Sequence, residues 1–212
     1  METDMQSKLE LILFDVDGTL IDSFDAYQKI MQTVLPSYGI RVSLPMLRQS
    51  FAMPVDQALT FLQVSPDKFQ AVEQAYGELA GTPQFSEPLF PGILRVLQQC
   101  YEAGIPLGIV TSRSRADLKS VDPAVLRMMT VVVTADETHM HKPDPAPLNL
   151  AIAKADSVHR KTVYIGDDRV DEQAARAAGI QFKAAVWGAK DPREFDRATI
   201  ILRHPAELVA LL

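Results

Sequence analysis

Two aspartates stand two residues apart at the end of an apolar run. The stretch "LELILF" leads directly into "DVDGTL", where Asp15 and Asp17 are followed by a Gly-Thr turn. An unpaired carboxylate is costly to bury and is normally neutralised or paired, so packing gives no reason for two of them at a strand tip. Further along lie Thr111 and Ser112 in "IPLGIVTS", Lys142 in "HKPDP", and Asp167, Asp168 and Asp171 in "GDDRVD". Several carboxylates, a hydroxyl and a lysine around one point make a site for a hard cation and a phosphate. Carboxylate oxygens bind magnesium, the metal meets phosphate oxygens, and the lysine and hydroxyl take up the remaining charge. Each piece alone has a plainer reading: a turn, a helix N-cap in "VTSR", a surface turn, an acidic helix start. None of these explains why all four should converge.

Convergence needs a scaffold that brings distant segments to one edge. Strand-like runs recur at "LELILFD" (9–15), "IPLGIVTS" (105–112), "MTVVVTA" (129–135), "KTVYIGD" (161–167) and "QFKAAV" (181–186), and a short one at "ATIIL". Several are apolar on both faces, as strands of a covered parallel sheet should be. Helical patterns lie between them at 91–104, 146–155 and 170–179, and the segment "HPAELVALL" is predicted as the last helix. This alternation predicts an α/β fold with a doubly wound, Rossmann-like parallel sheet. Ligands of such sheets bind beyond the carboxyl ends of the strands, and that is where the polar residues fall.

Residues 22–88 break the rhythm, with helical periods and no convincing strand. One helix shows Phe24, Tyr27, Met31 and Val34 or Leu35 on a face; "PVDQALTFL" and "PDKFQAVEQAYGELA" supply others. The Pro- and Gly-rich stretch 81–92 reads as a hinge. The expected organisation is an α/β core of residues 1–21 and 89–212 with a helical insert of residues 22–88. The insert carries four basic residues (Lys29, Arg41, Arg48, Lys68) against seven acidic ones, so it offers no basic track for a polyanion. Joined by two short connections, it is expected to close over the strand ends as a lid.

The 212 residues are 47% apolar and 23% charged, which allows a sizeable core, and the net charge is −6. An acidic chain without a basic run argues against nucleic-acid and anionic-membrane partners. The single cysteine, Cys100, sits at a helical core position, in keeping with a reducing compartment. "METDMQSK" lacks the order of a signal peptide, and no apolar run reaches membrane-spanning length. The expectation is a cytoplasmic monomer or homodimer acting on a small phosphorylated metabolite.

The motifs "DVDGTL", "VTS", "HKPDP" and "GDDRVD", in that order, resemble the haloacid dehalogenase superfamily of phosphatases over essentially the whole chain. "DGTLIDS", "AARAAG", "VWG" and "AELVALL" are similar to its phosphoglycolate phosphatase and β-phosphoglucomutase branch, in which a small helical cap follows the first strand. The resemblance implies that Asp15 is the nucleophile and forms an aspartyl phosphate. It implies that Asp17 protonates the leaving oxygen and then activates water. Asp15, the backbone carbonyl of Asp17, and Asp167 would hold magnesium, with Asp168 or Asp171 completing the shell and Asp171 the better spaced. Thr111, Ser112 and Lys142 would bind the phosphoryl group, and Gly18 would let the backbone turn around it.

There are departures from the family pattern. In "SFAMPVD", Ala52 stands where the cap's specificity loop is expected to carry glycine, and Arg48 is the basic residue nearest that loop. His139 and His141 flank Met140 before Lys142 but lack a third ligand for a separate metal site. Trp187 is expected to pack at the carboxyl edge of the sheet. A phosphate-receiving signalling domain would share the pocket chemistry but would be shorter and would give Asp17 no role. A haloalkanoic acid dehalogenase would lack an acid at that position. A phosphomutase would share every catalytic residue named, and a pyrophosphatase is the other alternative.

Overall fold

The computed structural model describes residues 9–51, 53, 55–188 and 191–211. The chain divides into two compact units, one running to Ile21 and resuming at Leu89, the other spanning Asp22–Pro88. The first unit is built on six parallel strands: β1 (Leu11–Phe14), β2 (Leu107–Val110), β3 (Met129–Val133), β4 (Thr162–Gly166), β5 (Gln181–Ala185) and β6 (Ile200–Leu202). Their order across the sheet is β3-β2-β1-β4-β5-β6, so the direction of winding reverses beside β1. Ligands collect at such a switch point. Register fixes the rest. Phe14 pairs with Ile109 on one side and Ile165 on the other, and Val110 pairs with Val133. The residues that follow, Asp15, Thr111, Thr134 and Asp167, therefore leave the sheet at one edge and nearly one level.

The strand interiors explain why this sheet must be covered on both faces. Leu11 and Leu13 point into one apolar cluster, Ile12 and Phe14 into the other, and all four are fully buried. That is the two-residue period of a strand with a core on each side. Each such side chain contributes roughly 1.5–3 kcal/mol by leaving water. The strands are shorter than the runs in the sequence, at both ends for β1 and β2.

The second unit is helical: α1 (Phe24–Val34), α2 (Leu44–Ser50), α3 (Val55–Phe61) and α4 (Phe69–Leu79), with 3₁₀ turns between. Ile30, Met31, Val34, Leu47, Leu59, Leu62 and Val72 form its core. Phe85, inside the stretch read as a hinge, belongs to the same core. That buried phenylalanine ties the first half of the stretch to the helical core. The Arg48 guanidinium lies over the Phe24 ring, 4.4 Å from its centroid. Ala52 lies outside the described residues.

In the first unit, α5 (Ile93–Glu102) and α6 (Pro123–Met128) cover one face of the sheet; α7 (Ala146–Lys154) and α8 (Arg169–Ala178) cover the other. Cys100 is fully buried on the inner face of α5, where its spacing placed it. The last segment departs from expectation. Pro205–Leu211 is a 3₁₀ helix rather than an α-helix. Pro205, Leu208 and Leu211 are its core-facing residues, and a spacing of three matches the 3₁₀ period. Among the described residues no helix is long and apolar enough to cross a membrane.

Candidate active site

The loop after β1 opens the site. Asp15 is buried, and its backbone N–H still donates to Ile165 across 2.9 Å, so its side chain is held at the sheet edge. Gly18 then turns the chain back with φ 77°, a left-handed conformation. A Cβ at Gly18 would collide with the Asp167 carboxylate, so the position needs glycine for space as well as for its backbone angle. The Thr19 hydroxyl donates to Asp167 Oδ1 at 3.4 Å, and Trp187 Nε1 donates to the Thr19 carbonyl at 2.8 Å. Trp187 thereby buttresses the loop from the carboxyl edge, where its sequence context put it.

The loop after β3 delivers Lys142. Its Nζ donates to Asp15 Oδ1 at 2.8 Å, to Asp171 Oδ1 at 2.6 Å and to Tyr164 Oη at 3.0 Å. Tyr164 lies in the middle of β4 and is fully buried, with its hydroxyl 3.1 Å from both Asp171 Oδ1 and the Val110 carbonyl. The sequence reading missed it because "TVYIG" looks like uniform core. The available signal was that a buried tyrosine hydroxyl usually needs a partner.

Asp167 follows β4, and Asp168 and Asp171 begin α8. These two form a capping box: Asp168 accepts from Val170 N at 3.1 Å, and Asp171 Oδ2 accepts from Asp168 N at 3.1 Å. Their carboxylates take different positions. Asp171 offers its other oxygen to the site, whereas Asp168 closes the helix end. Oxygens of Asp15, Asp167 and Asp171 lie within 4.8 Å of one another, all three residues buried.

Burial dominates the electrostatics of this group. It pushes the Asp15 carboxyl up to about 7, opposed by the Lys142 ammonium and reinforced by the negative charges of Asp171 and Asp17. Asp167 is raised well above the usual carboxylate range by burial and then by Asp15 and Asp171. Burial alone would lower Lys142, but Asp15 and Asp171 beside it hold its ammonium form well above the ordinary value. Three buried carboxylates share one ammonium. A hard divalent cation with oxygen ligands fits this donor set and would supply the missing positive charge.

Thr111 is buried at the end of β2, its hydroxyl accepting from Arg113 N at 3.1 Å. Thr111, the exposed Ser112 and Lys142 line one recess, together with Thr134, Thr138 and His141. His139 and His141 are exposed and stand outside the group of three carboxylates. Arg48 belongs to the helical unit. Asp17 is not among the three either. Its carboxylate is gripped by Arg113, Nε to Oδ2 at 2.8 Å and Nη2 to Oδ1 at 2.5 Å. The sequence reading passed over Arg113 inside "VTSR", where the hydroxyls drew the interpretation.

Residues 12–185, most of the chain, match the haloacid dehalogenase-like hydrolase family. The chain belongs to this family. The resemblance seen in its motifs is thus borne out, and the parallel sheet is the family's core fold. A phosphoglycolate phosphatase of Xanthomonas campestris is 30% identical over 210 residues, covering 93% of each chain. An N-acetylmuramic acid 6-phosphate phosphatase of Pseudomonas aeruginosa is 28% identical and covers 97% of this chain and 95% of its own. Among solved structures, a Lactobacillus plantarum protein named as a candidate phosphoglycolate phosphatase superposes with a TM-score of 0.85 at 32% identity. That match covers 97% of this chain and all of the other. This haloacid dehalogenase-like hydrolase is a phosphatase, a hydrolase of phosphoric esters.

Proposed function

We propose that this hydrolase is a magnesium-dependent phosphatase that cleaves a small phosphomonoester, phosphoglycolate phosphatase-like, through an aspartyl phosphate on Asp15. One observation carries the reading: Asp15 sits at the sheet's switch point with Lys142 at 2.8 Å and two further buried carboxylates within 4.8 Å. A nucleophilic carboxylate needs its charge offset before it can approach a phosphate dianion, and Lys142 does this directly. Asp15, Asp167 and the backbone carbonyl of Asp17 would hold the cation, with Asp171 fixing Lys142 beside them. Magnesium, when bound, supplies Lewis-acid charge stabilisation to the phosphoryl oxygens.

The roles of the chain's own groups follow. Asp15 attacks phosphorus, and Thr111, Ser112 and Lys142 hold the phosphoryl oxygens. Asp17 donates a proton to the leaving oxygen and later takes one from water. We assign the helical unit, residues 22–88, the part of the family's cap domain.

The deciding experiment is a screen of phosphate esters, phosphopeptides, 5′-phosphorylated oligonucleotides and pyrophosphate, with and without divalent cations. The reading expects the highest kcat/KM on a small ester and none of that activity in excess chelator. A preference for pyrophosphate, or phosphoryl return to a sugar, would move the assignment to a pyrophosphatase or a phosphomutase.

A further inference from the structure

Arg113 holds Asp17 at two points, and is itself anchored by other described residues. Its Nη1 donates to Ser120 Oγ at 2.6 Å, its backbone N–H to Thr111 Oγ1 at 3.1 Å, and its carbonyl accepts from Ala135 N at 2.9 Å. A two-point guanidinium–carboxylate contact sets the plane of the carboxylate as well as its position. The side chains are 13% exposed for Arg113 and 30% for Asp17, so the carboxylate is the more open partner. A partly exposed pair adds only about 0–1 kcal/mol to stability. The elaborate anchoring of Arg113 is better explained by what it does to Asp17.

We propose that Arg113 is a positioning residue for the second half of the reaction, in which it sets the Asp17 carboxylate to take a proton from the hydrolytic water. The inference rests on the aspartyl-phosphate reading above. In this step the water oxygen bonds to phosphorus, and the P–O bond to Asp15 breaks with its electron pair returning to the Asp15 carboxylate. The water proton passes to Asp17, and orthophosphate leaves. A carboxylate has more acceptor sites than a guanidinium fork fills, so the grip orients Asp17 without barring it from accepting a proton. Orientation matters because a general base works only within about 2.6–3.2 Å of the proton it takes. The first half differs. A leaving group such as p-nitrophenolate departs without protonation, so forming the aspartyl phosphate from p-nitrophenyl phosphate draws little from Asp17.

The two halves can be read separately on p-nitrophenyl phosphate with magnesium, because kcat/KM reports phosphoryl transfer and kcat reports the slower step. Arg113→Gln should lower kcat by about 10- to 100-fold while kcat/KM stays within about threefold. It should release a burst of p-nitrophenolate approaching one per enzyme, and the mass spectrum of the quenched protein should show one added phosphoryl group. Arg113→Lys keeps the charge without the fork and should fall between wild type and Arg113→Gln, also with kcat/KM retained. If thermal melting shows that the Gln variant does not fold, the Lys variant decides by the same split. Asp17→Asn is the reference and should trap the phosphoenzyme. If Asp17→Asn traps it and the Arg113 variants lose kcat and kcat/KM together without trapping, Arg113 has no such role and the inference is overturned. If Asp17→Asn traps none, the aspartyl-phosphate reading itself fails and the inference goes with it.

Discussion

Lys142 Nζ stands 2.8 Å from Asp15 Oδ1, with both side chains more than nine-tenths buried. The same ammonium reaches Asp171 across 2.6 Å. It is the one buried cation facing three buried carboxylates among the described residues at this edge. Replacing it with a neutral side chain leaves those charges uncompensated. Breaking a buried pair on one side costs roughly 3–5 kcal/mol. Lys142→Met should therefore lower the melting temperature of chelator-treated protein and abolish phosphatase activity. Added magnesium should recover part of the stability and none of the rate. An unchanged melting temperature would contradict the charge balance drawn here.

The two aspartates of the first motif should fail differently. Asp15→Asn removes the nucleophile, so intact-mass analysis should show no covalent phosphate with any ester. Asp17→Asn keeps the nucleophile and loses the acid and base, so turnover should fall by roughly 100- to 10,000-fold. Equal and mild losses in both would dissolve the division of roles.

Stability should depend on pH in an unusual direction when divalent cations are removed. The Asp15 carboxyl is raised to about 7 in the fold, against about 3.9 in an unfolded chain, and Asp167 is shifted the same way. Between those values the folded state keeps a proton that the unfolded chain has released. Unfolding then releases protons, so stability falls as pH rises from about 4 to about 7. Melting curves in chelator across that range should show this trend, and magnesium should offset it most at the alkaline end, where it competes with fewer protons. A melting temperature that rose steadily over the same interval would refute the assignment.

Asp168 and Asp171 should separate cleanly. Asp168→Ala removes a helix cap and should cost about 0.5–2 kcal/mol of stability, with the divalent-cation affinity largely retained. Asp171→Asn removes one of the three clustered carboxylate charges, the one 2.6 Å from Lys142, so calorimetric titration should show magnesium affinity reduced by at least about 10-fold. The reverse pattern would put Asp168 in the site.

The strands, the helices over both sheet faces and the residues at the carboxyl edge were legible in the amino-acid sequence because their signals are local. A strand buried on both sides reads as a continuous apolar run, and a polar residue at its end marks where the chain leaves the ladder. Asp15, Thr111 and Asp167 could be named on that basis, since parallel order sends strand ends to one edge, and Lys142 was named from the motif that follows the third strand. Which charges meet there is another matter. Asp17 and Arg113 are 96 positions apart, and their two-point contact depends on the Phe14–Ile109 register and on how the loop after β2 folds back. Tyr164 looked like core because its ring is core; only its hydroxyl belongs to the site. Asp168 and Asp171 differ by less than one helical turn, yet the capping geometry of α8 sends one to the helix end and the other toward Lys142. Apolar periodicity is written residue by residue and survives without a partner. A hydrogen bond between side chains needs its partner within about 3 Å, and only the folded chain sets that distance.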